Sequence, residues 1–550
     1  MTLRVIPLGG VGEFGMNMML YETDESAIVV DCGMMFPDAS ILGVDVIIPD
    51  MSWVFERAEK IDGIFLTHGH EDHVGATPFL IEKVSAPVYG SPLTIGFVSD
   101  KLGEFGMRAG ADLRVLEPGK AVTAGDFTVE PIHVTHSIVD CFAFAIRTPD
   151  GVVIHTGDFK LDQRPIDRSP TDMAAIARYG DEGVLLLVSD STNAIHEGVS
   201  GSESSVSDAL DRVFSRAAGR IVFTTFASHI HRIQQVINLA EKYRRKVFFV
   251  GRSVIGNVET AERLGHLRVP RSVRPGTNKP MDFDPADSVV ITAGTQGEPN
   301  SALTRIALDE HKAVSLEPGD TVILSARTIP GNERAVSHVI DHLYRRGAQV
   351  IYDEVPNIHV SGHGYAEELR IMINLSRPKY FVPMHGSLRH LVRHAEIAES
   401  VGIERSRIFV ITNGEVLAVG PEGASVEEER VPTGKVFIDN QFEEIAPPVV
   451  RDRKHLAEDG FVIVVVALSA HTGRLAREPE IITRGLVHVD TSQEMLEEVR
   501  DLLTTLVTEA SPEEVRDGEI IQEKMRAMLK RYFRKRYERR PMILPVVWEM

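Results

Sequence analysis

Cysteine is almost missing: Cys32 and Cys141 are the only two in 550 residues, which argues against a disulfide framework. Long apolar runs are missing too. The stretch Phe461 to Leu468 falls far short of the roughly 20 residues that a membrane helix needs, so no membrane partner is expected. Met1-Thr2-Leu3-Arg4 leads straight into a strand-like segment and carries no signal-peptide pattern, so the expected compartment is cytoplasmic. Positive charge is in deficit, with 59 Lys and Arg against 79 Asp and Glu and a net charge of −20. Such a chain cannot rely on general attraction to a polyanion. Any phosphate it binds must be captured by local donors.

What is present fits an ordinary soluble globular composition, 43% hydrophobic and 25% charged. The length exceeds what one core supports, so two to four domains are expected. The densest chemical feature is Thr67-His68-Gly69-His70-Glu71-Asp72-His73. It follows the apolar run Ile61 to Leu66, which reads as a buried strand. Val74 to Ile81 then reads as a helix start, so the polar side chains converge on a strand-to-helix turn. Imidazole and carboxylate together suit zinc or manganese. The run partitions naturally: His68 and His70 grip one ion, Asp72 and His73 a second. A merely polar, His-rich loop is the competing reading.

Gly10-Val11-Gly12-Glu13-Phe14-Gly15 matches a dinucleotide-binding fingerprint, which requires a following helix. Met16 to Tyr21 and Ala27 to Asp31 read instead as a hairpin, so the nucleotide reading is rejected. A second strand, Phe127 to Val134, ends near two histidines. His133 and His136 have opposite parity, so only one of them can face a site at the strand end.

His-x-His-x-Asp-His after a strand resembles the metallo-β-lactamase fold. Thr135-His136-Ser137, Thr156-Gly157-Asp158, Ser189-Asp190-Ser191, Ser228-His229-Ile230-His231, His359-Val360-Ser361-Gly362-His363-Gly364 and Met384-His385-Gly386 narrow the resemblance to the ribonuclease J family, within the β-CASP group of nucleic-acid hydrolases. The opening Gly-Gly-x-Gly-Glu segment and Arg540 to Pro545 resemble that family as well. The implied fold class is α/β: an αββα metallo-β-lactamase sandwich, an inserted β-CASP parallel-sheet domain and a small α+β C-terminal domain. The implied boundaries are 1–205 and 359–430 for the two parts of the sandwich, 206–358 for the insertion, 431–455 for a linker and 456–550 for the C-terminal domain. Within them, Val206 to Ala217 and Ser228 to Lys242 read as helices, and Arg220 to Phe226, Val247 to Gly251 and Thr321 to Ser325 as strands. Ile408 to Ile411 and Glu415 to Val419 are expected to close the first sheet. Glu480 to Val489 reads as a strand, and Ser492 to Val507 and Glu513 to Tyr537 as helices. Pro432 to Pro448 reads as a connector. Its Asp439-Asn440-Gln441-Phe442-Glu443 departs from the Gly-Val-Gly-rich segment usual in the family.

By the resemblance, His136 rather than His133 is a ligand, Asp158 bridges two divalent ions (zinc or manganese), and His385 completes the second. The expected sets are His68, His70, His136 and Asp158, and Asp72, His73, Asp158 and His385. Asp190 orients a histidine, and His363 protonates the leaving 3′ oxygen. Ser228, His229, His231, His359, Ser361, Gly362 and His363 are the expected RNA-binding residues around a 5′-phosphate pocket. The family more often carries Asn at position 229. Ser228 has a simpler competing role as a helix cap. Some relatives hold a structural calcium near the loop containing Asp45 and Asp50; a solvated loop is the favoured reading there. Lys530 to Tyr537 mixes basic and aromatic residues and could bind RNA, with a solvated helix face favoured.

The implied activity is metal-dependent cleavage of RNA, 5′-to-3′ exonucleolytic with a preference for 5′-monophosphate ends and also endonucleolytic, in RNA maturation and mRNA decay. A homodimer or homotetramer is implied. Two other classes compete: a thioester or lactone hydrolase on the same metal fold, and a non-catalytic RNA-binding subunit. The insertion after Asp190 weighs against the first and the complete ligand set against the second. The net charge weighs mildly against RNA as a partner.

Overall fold

The computed structural model describes residues 2–37, 41, 43–277, 279–329, 331–352, 358–439, 443–486, 493–515 and 517–550. They form two compact units, Met1–Met35 with Ile47–Lys435, and Phe36–Val46 with Val436–Met550.

The first unit is built on two facing sheets. One has eight strands and runs in the order Ala424–Arg430, Glu415–Val419, Leu3–Gly9, Met18–Glu22, Ala27–Val30, Ile61–Phe65, Val88–Gly90 and Leu113–Val115. The other has six, ordered Tyr380–Met384, Val184–Asp190, Gly151–His155, Cys141–Thr148, Phe127–Val134 and Val122–Ala124. Their inner faces share one core, in which Val5, Tyr21, Val30 and Phe65 of the first sheet meet Phe142, Phe144, Leu186 and Val382 of the second. Val184-Leu185-Leu186-Leu187-Val188 is apolar throughout because it is buried on both faces. Its outer face lies under the helices Met173–Glu182, Ala366–Ser376 and Leu388–Ser400. Pro92–Glu104 packs along the edge strands of the eight-stranded sheet. Helices outside two packed sheets make the αββα sandwich.

Between two neighbouring strands of the six-stranded sheet the chain makes a long excursion. Val184–Asp190 pairs in parallel with Tyr380–Met384, from Leu186 opposite Tyr380 to Asp190 opposite Met384. The residues between them hold a separate five-stranded sheet, ordered Lys246–Val250, Ser288–Thr292, Ile221–Thr224, Thr321–Leu324 and Gln349–Ile351, parallel throughout. Alternate residues of each strand serve two cores. Ile221, Phe223 and Ile291 face the helices Ser204–Phe214, Ile230–Lys242 and Arg252–Arg263, while Val222, Val290 and Val322 face Ala302–Ala307 and Glu333–Arg345.

Ile408 to Ile411 does not form a strand. Only a bridge between Phe381 and Ile408 is made there, while Glu415–Val419 pairs with Leu3–Gly9 on the other sheet. The Gly-rich stretch is not followed by a helix: Val11–Gly12 pairs with Gly386–Ser387, and the strand Met18–Glu22 comes next. Glycines at 10, 12 and 15 with positive φ supply the turns.

In the second unit, Glu480–Arg484, Phe461–Leu468 and Met542–Glu549 form a mixed sheet. Gln493–Glu509 and Gly518–Tyr537 pack on one face through Val499, Leu503, Met525, Leu529 and Phe533. The expected connector is more ordered than its composition implied. Phe437 pairs with Ile445, and a helix runs from Pro447 to Asp459. Two prolines open that helix, where their missing N–H groups leave no bond unmade. The Asn440 to Phe442 departure, the end of the strand expected through Val489, and Ser492 lie outside the described residues.

Candidate metal centre and active site

The strand Ile61–Phe65 delivers the His-rich turn to the open edge of the sandwich, and a one-turn helix, Glu71–Val74, carries Asp72 and His73. Three overlapping donor groups form among the described residues. His68, His70, His136 and Asp158 offer atoms within 4.8 Å of one another, and so do Asp72, His73, Asp158 and His385, and Asp158, Asp190, His363 and His385. Asp158 belongs to all three. Its Oδ2 lies 3.6 Å from His68 Nε2, 3.7 Å from His136 Nε2 and 3.2 Å from His73 Nε2. Its Oδ1 accepts from His385 Nδ1 at 2.8 Å.

The donors suit a divalent cation. His70 Nδ1 stands 3.0 Å from His68 Nε2 and 3.2 Å from His136 Nε2. A tetrahedral ion with bonds of roughly 2.0–2.1 Å separates its donors by about 3.3 Å. Burial pushes His68 and His136 well below the usual imidazole range and His70 down to about 4, so all three are neutral donors. Burial acts in the same direction on His73 and His385. There the carboxylates outweigh it: Asp158, Asp31 and Asp72 raise His73, and Asp158 raises His385 to about 10. That surplus of negative charge is what a second cation would neutralise.

The far nitrogens are tied down, which fixes tautomer and ring direction. His136 Nδ1 donates to the Gly362 carbonyl at 2.7 Å. Gly362 must be glycine for this approach, because a Cβ there would come within 2.8 Å of His136 Cε1. His73 Nδ1 donates to Asp31 at 2.7 Å. His68 Nδ1 lies 3.0 Å from Thr67 Oγ1, which donates to the same Asp31 carboxylate. Asp31 reaches both from a strand end at φ 62°. Gly157, at φ 55°, lets Asp158 turn beside Thr67, where a Cβ would sit 2.9 Å from Thr67 Cβ. Asn17 Nδ2 lies 3.1 Å from His73 Nε2 and donates to the Asp72 carbonyl at 3.1 Å.

His363 stands over this centre, Nε2 3.9 Å from Asp158 Oδ2, and its Nδ1 donates to Asp190 Oδ2 at 2.8 Å. The turn that carries it is stitched to the Asp158 loop. Gly364 N donates to Phe159 O at 2.7 Å, and the buried Glu368 carboxylate accepts from the backbone N–H groups of Leu161, Ser200 and Tyr365. Ser361 Oγ accepts from Asn193 Nδ2 at 2.7 Å and from His363 N at 3.1 Å.

The remaining expected RNA-binding residues do not join this group. The helix Ile230–Lys242 begins one residue later than a Ser228 cap would place it, with His229 at the cap position and no side-chain cap bond. His229 is buried and neither ring nitrogen has a hydrogen bond; it faces Glu203 at 3.6 Å. His231 Nε2 faces Asp167 at 3.4 Å. Burial, then Arg232, brings His359 down to about 3. Among the described residues, no hydrogen bond or ion pair links Ser228, His229 or His231 to Ser361 or His363. His133 turns from the ligands and contacts the Ser169 carbonyl at 3.0 Å. Asp45 and Asp50 enter no group of three potential ligands among the described residues.

Asn17, Asp31, Thr67, Asn193 and Glu368 were missed as site residues. Only Asp31 carried a signal: a carboxylate closing the apolar strand Ala27–Val30 at the level of the His-rich turn.

Comparison with known proteins agrees with this geometry. The sequence matches the Metallo-beta-lactamase superfamily over residues 11–224, the Ribonuclease J, beta-CASP domain over 218–343, the Zn-dependent metallo-hydrolase RNA specificity domain over 348–408 and the Ribonuclease J C-terminal domain over 448–550. Ribonuclease J of Helicobacter pylori (strain ATCC 700392 / 26695) is 38% identical over 546 residues, 99% of this chain and 79% of that protein. Ribonuclease J2 of Bacillus subtilis (strain 168) is 38% identical over 550 residues, 100% of this chain and 99% of that one. Ribonuclease J of Thermus thermophilus is 40% identical over 560 residues, 100% of this chain and 95% of that protein. A crystal structure of a protein of unknown function from Enterococcus faecalis V583 shares the fold, with a TM-score of 0.54 at 16% identity, covering 76% of this chain and 100% of that one. With donor groups joined through one aspartate, a parallel-sheet insertion and full-length relatives, the chain belongs to the ribonuclease J family.

Proposed function

We propose that the chain removes nucleotides from the 5′ end of RNA, with a preference for a 5′ monophosphate, and also cuts internally, in RNA maturation and mRNA decay. The observation that carries this reading is Asp158: shared by the donor groups, with His363 directly above it. His68, His70 and His136 would hold one divalent ion, Asp72, His73 and His385 the other, and Asp158 both. Ions so held lower the pKa of water and stabilise charge on attacking and leaving oxygens at phosphorus. Zinc and manganese both match the mix of imidazole and carboxylate.

The chain's own groups do the rest. His363, held by Asp190, faces the centre with Nε2 and can deliver a proton to the leaving 3′ oxygen. Ser361 accepts from Asn193 and from His363 N, which leaves its own hydroxyl proton free to donate to a phosphate oxygen. We assign Ser361 and Asn193 to the 5′-phosphate side, with Ser228 and His231 further out. Assembly as a homodimer or homotetramer and a cytoplasmic location follow from the family resemblance. No helix among the described residues is long and apolar enough to cross a membrane.

The test is incubation with Mn²⁺ or Zn²⁺ and uniformly labelled RNA carrying a 5′ monophosphate, 5′ triphosphate or no end. Mononucleotide release from the first, well ahead of the second, is expected. Hydrolysis of thioesters or lactones with intact RNA would remove the proposal.

A further inference from the structure

The helix Gly518–Tyr537 carries more positive charge than the fold requires. Its inward stripe, Ile521, Met525, Leu529 and Phe533, is spaced by four and fills the core of the second unit. On the outer side Lys530, Arg531, Arg534 and Lys535 are all exposed. Neighbouring cations are paired: Lys524 with Glu514, Arg526 with Glu523, Arg536 with Glu498 and Arg539 with Asp459. None of the four has an ion pair or side-chain hydrogen bond with a described residue. The helix dipole favours cations in the last turn, which accounts for Arg534 and Lys535. Lys530 and Arg531 lie earlier and gain little from it. Four unpaired cations at i, i+1, i+4 and i+5 make two rows about 6 Å apart along the axis. In a chain of net charge −20 this is a local reversal of sign.

The interleaved aromatics do not belong to this face. The Tyr532 hydroxyl donates to Glu498, and the rings of Tyr532, Phe533 and Tyr537 pack against one another in the core cluster. Stacking on bases is therefore absent from the design, and contact is with the backbone alone.

We infer that the outer face of Gly518–Tyr537 docks the phosphate backbone of the RNA substrate, with Lys530, Arg531, Arg534 and Lys535 as the phosphate contacts and no preference for sequence. This rests on the ribonuclease reading of the chain. It places a second RNA contact on the C-terminal unit, in addition to the residues that face the metal centre.

The test uses the full chain and the variant K530A/R531A/R534A/K535A, since alanine preserves an exposed helix. Binding of a labelled single-stranded RNA is followed by anisotropy against salt, in EDTA to prevent cleavage. Each phosphate contact contributes about 0.7 to the slope of log K on log salt for single strands, so the quadruple variant should lose about 3. The charge-keeping variant R531K/R534K should retain the slope. With metal restored, KM for long RNA should rise while cleavage of a 5′-monophosphate trinucleotide stays unchanged. An unchanged slope overturns the inference, as does loss of binding to anionic phospholipid vesicles with RNA binding intact, which would make the face a membrane surface. If the quadruple variant does not fold by circular dichroism, K530A/R531A and R534A/K535A carry the test, each losing about 1.4 in slope. A wild-type chain that cleaves no RNA would remove the nuclease reading, and the salt slope would still decide this one.

Discussion

Replacing Asp190 separates two roles that the geometry allows. Its Oδ2 accepts from His363 Nδ1 at 2.8 Å, while its Oδ1 lies 3.8 Å from His385 Nδ1 and accepts from Thr192 N at 2.9 Å. The first contact makes Asp190 a positioning residue for His363; the second would make it a metal neighbour. If it positions His363, Asp190→Ala removes one hydrogen bond to a charged acceptor, worth roughly 1.5–3 kcal/mol. At about 1.4 kcal/mol per tenfold, kcat should fall by about 10-fold to about 150-fold. Asp190→Asn keeps an acceptor oxygen for Nδ1 and should lose less. KM should move little, because the bond serves a proton transfer rather than substrate binding. The assay is mononucleotide release from 5′-monophosphate RNA at saturating metal, with bound metal counted in parallel. Two ions per chain in both variants are expected. Wild-type kcat in Asp190→Ala would refute the positioning argument, and loss of one ion would reassign Asp190 as a ligand.

His68→Ala with His70→Ala should abolish cleavage while circular dichroism stays native, since one ion loses two of its donors. Gly362→Ala should cost roughly 1–3 kcal/mol in denaturant unfolding and a larger share of activity, because its Cβ would displace the carbonyl that orients His136. Ser361→Ala and Asn193→Ala should weaken action on 5′-monophosphate RNA more than on circular RNA; equal losses on both would move end recognition elsewhere. Burial, then Arg232, holds His229 at about 4 against the pull of Glu203. Its unfolded value is about 6.5, so its contribution is complete above that pH and is lost as pH falls from about 6.5 toward 4. It amounts to on the order of 3 kcal/mol, and urea titrations of His229→Asn should show a flatter profile across that window.

Several central strands of the two large sheets were legible because buried strands read as apolar runs, as in Ile61 to Leu66, whereas short edge strands such as Val88–Gly90, Leu113–Val115 and Val122–Ala124 carry no such run. The turn of His68 to His73 was legible because four donors fall within six residues. Its supports were not. Thr67, Asp31 and His73 meet across chain separations of 36 and 42 residues, and Asn193 meets Ser361 across 168. Such residues are single polar letters with no periodicity until the fold brings them together. Ser228 and His231 show the converse: the helix-start pattern was real, but the strand before it ends at Thr224, and the loop turns His229 inward to Glu203. The connector read at Pro432 to Pro448 ends where the helix Pro447–Asp459 begins, because prolines at a first turn start a helix.

The parallel pairing of Val184–Asp190 with Tyr380–Met384 has a consequence for synthesis. Asp158 and His385 are 227 residues apart. At 5–20 residues per second, the ribosome needs roughly 10–45 s to go from one to the other. During that interval the strand ending in Asp190 lacks its outer neighbour, and the second donor group lacks its last member. On the two-ion reading proposed above, a nascent chain would acquire its second ion site only once the polypeptide through His385 has emerged and folded back. The length of the delay is set by chain order alone, through the 227 residues between Asp158 and His385.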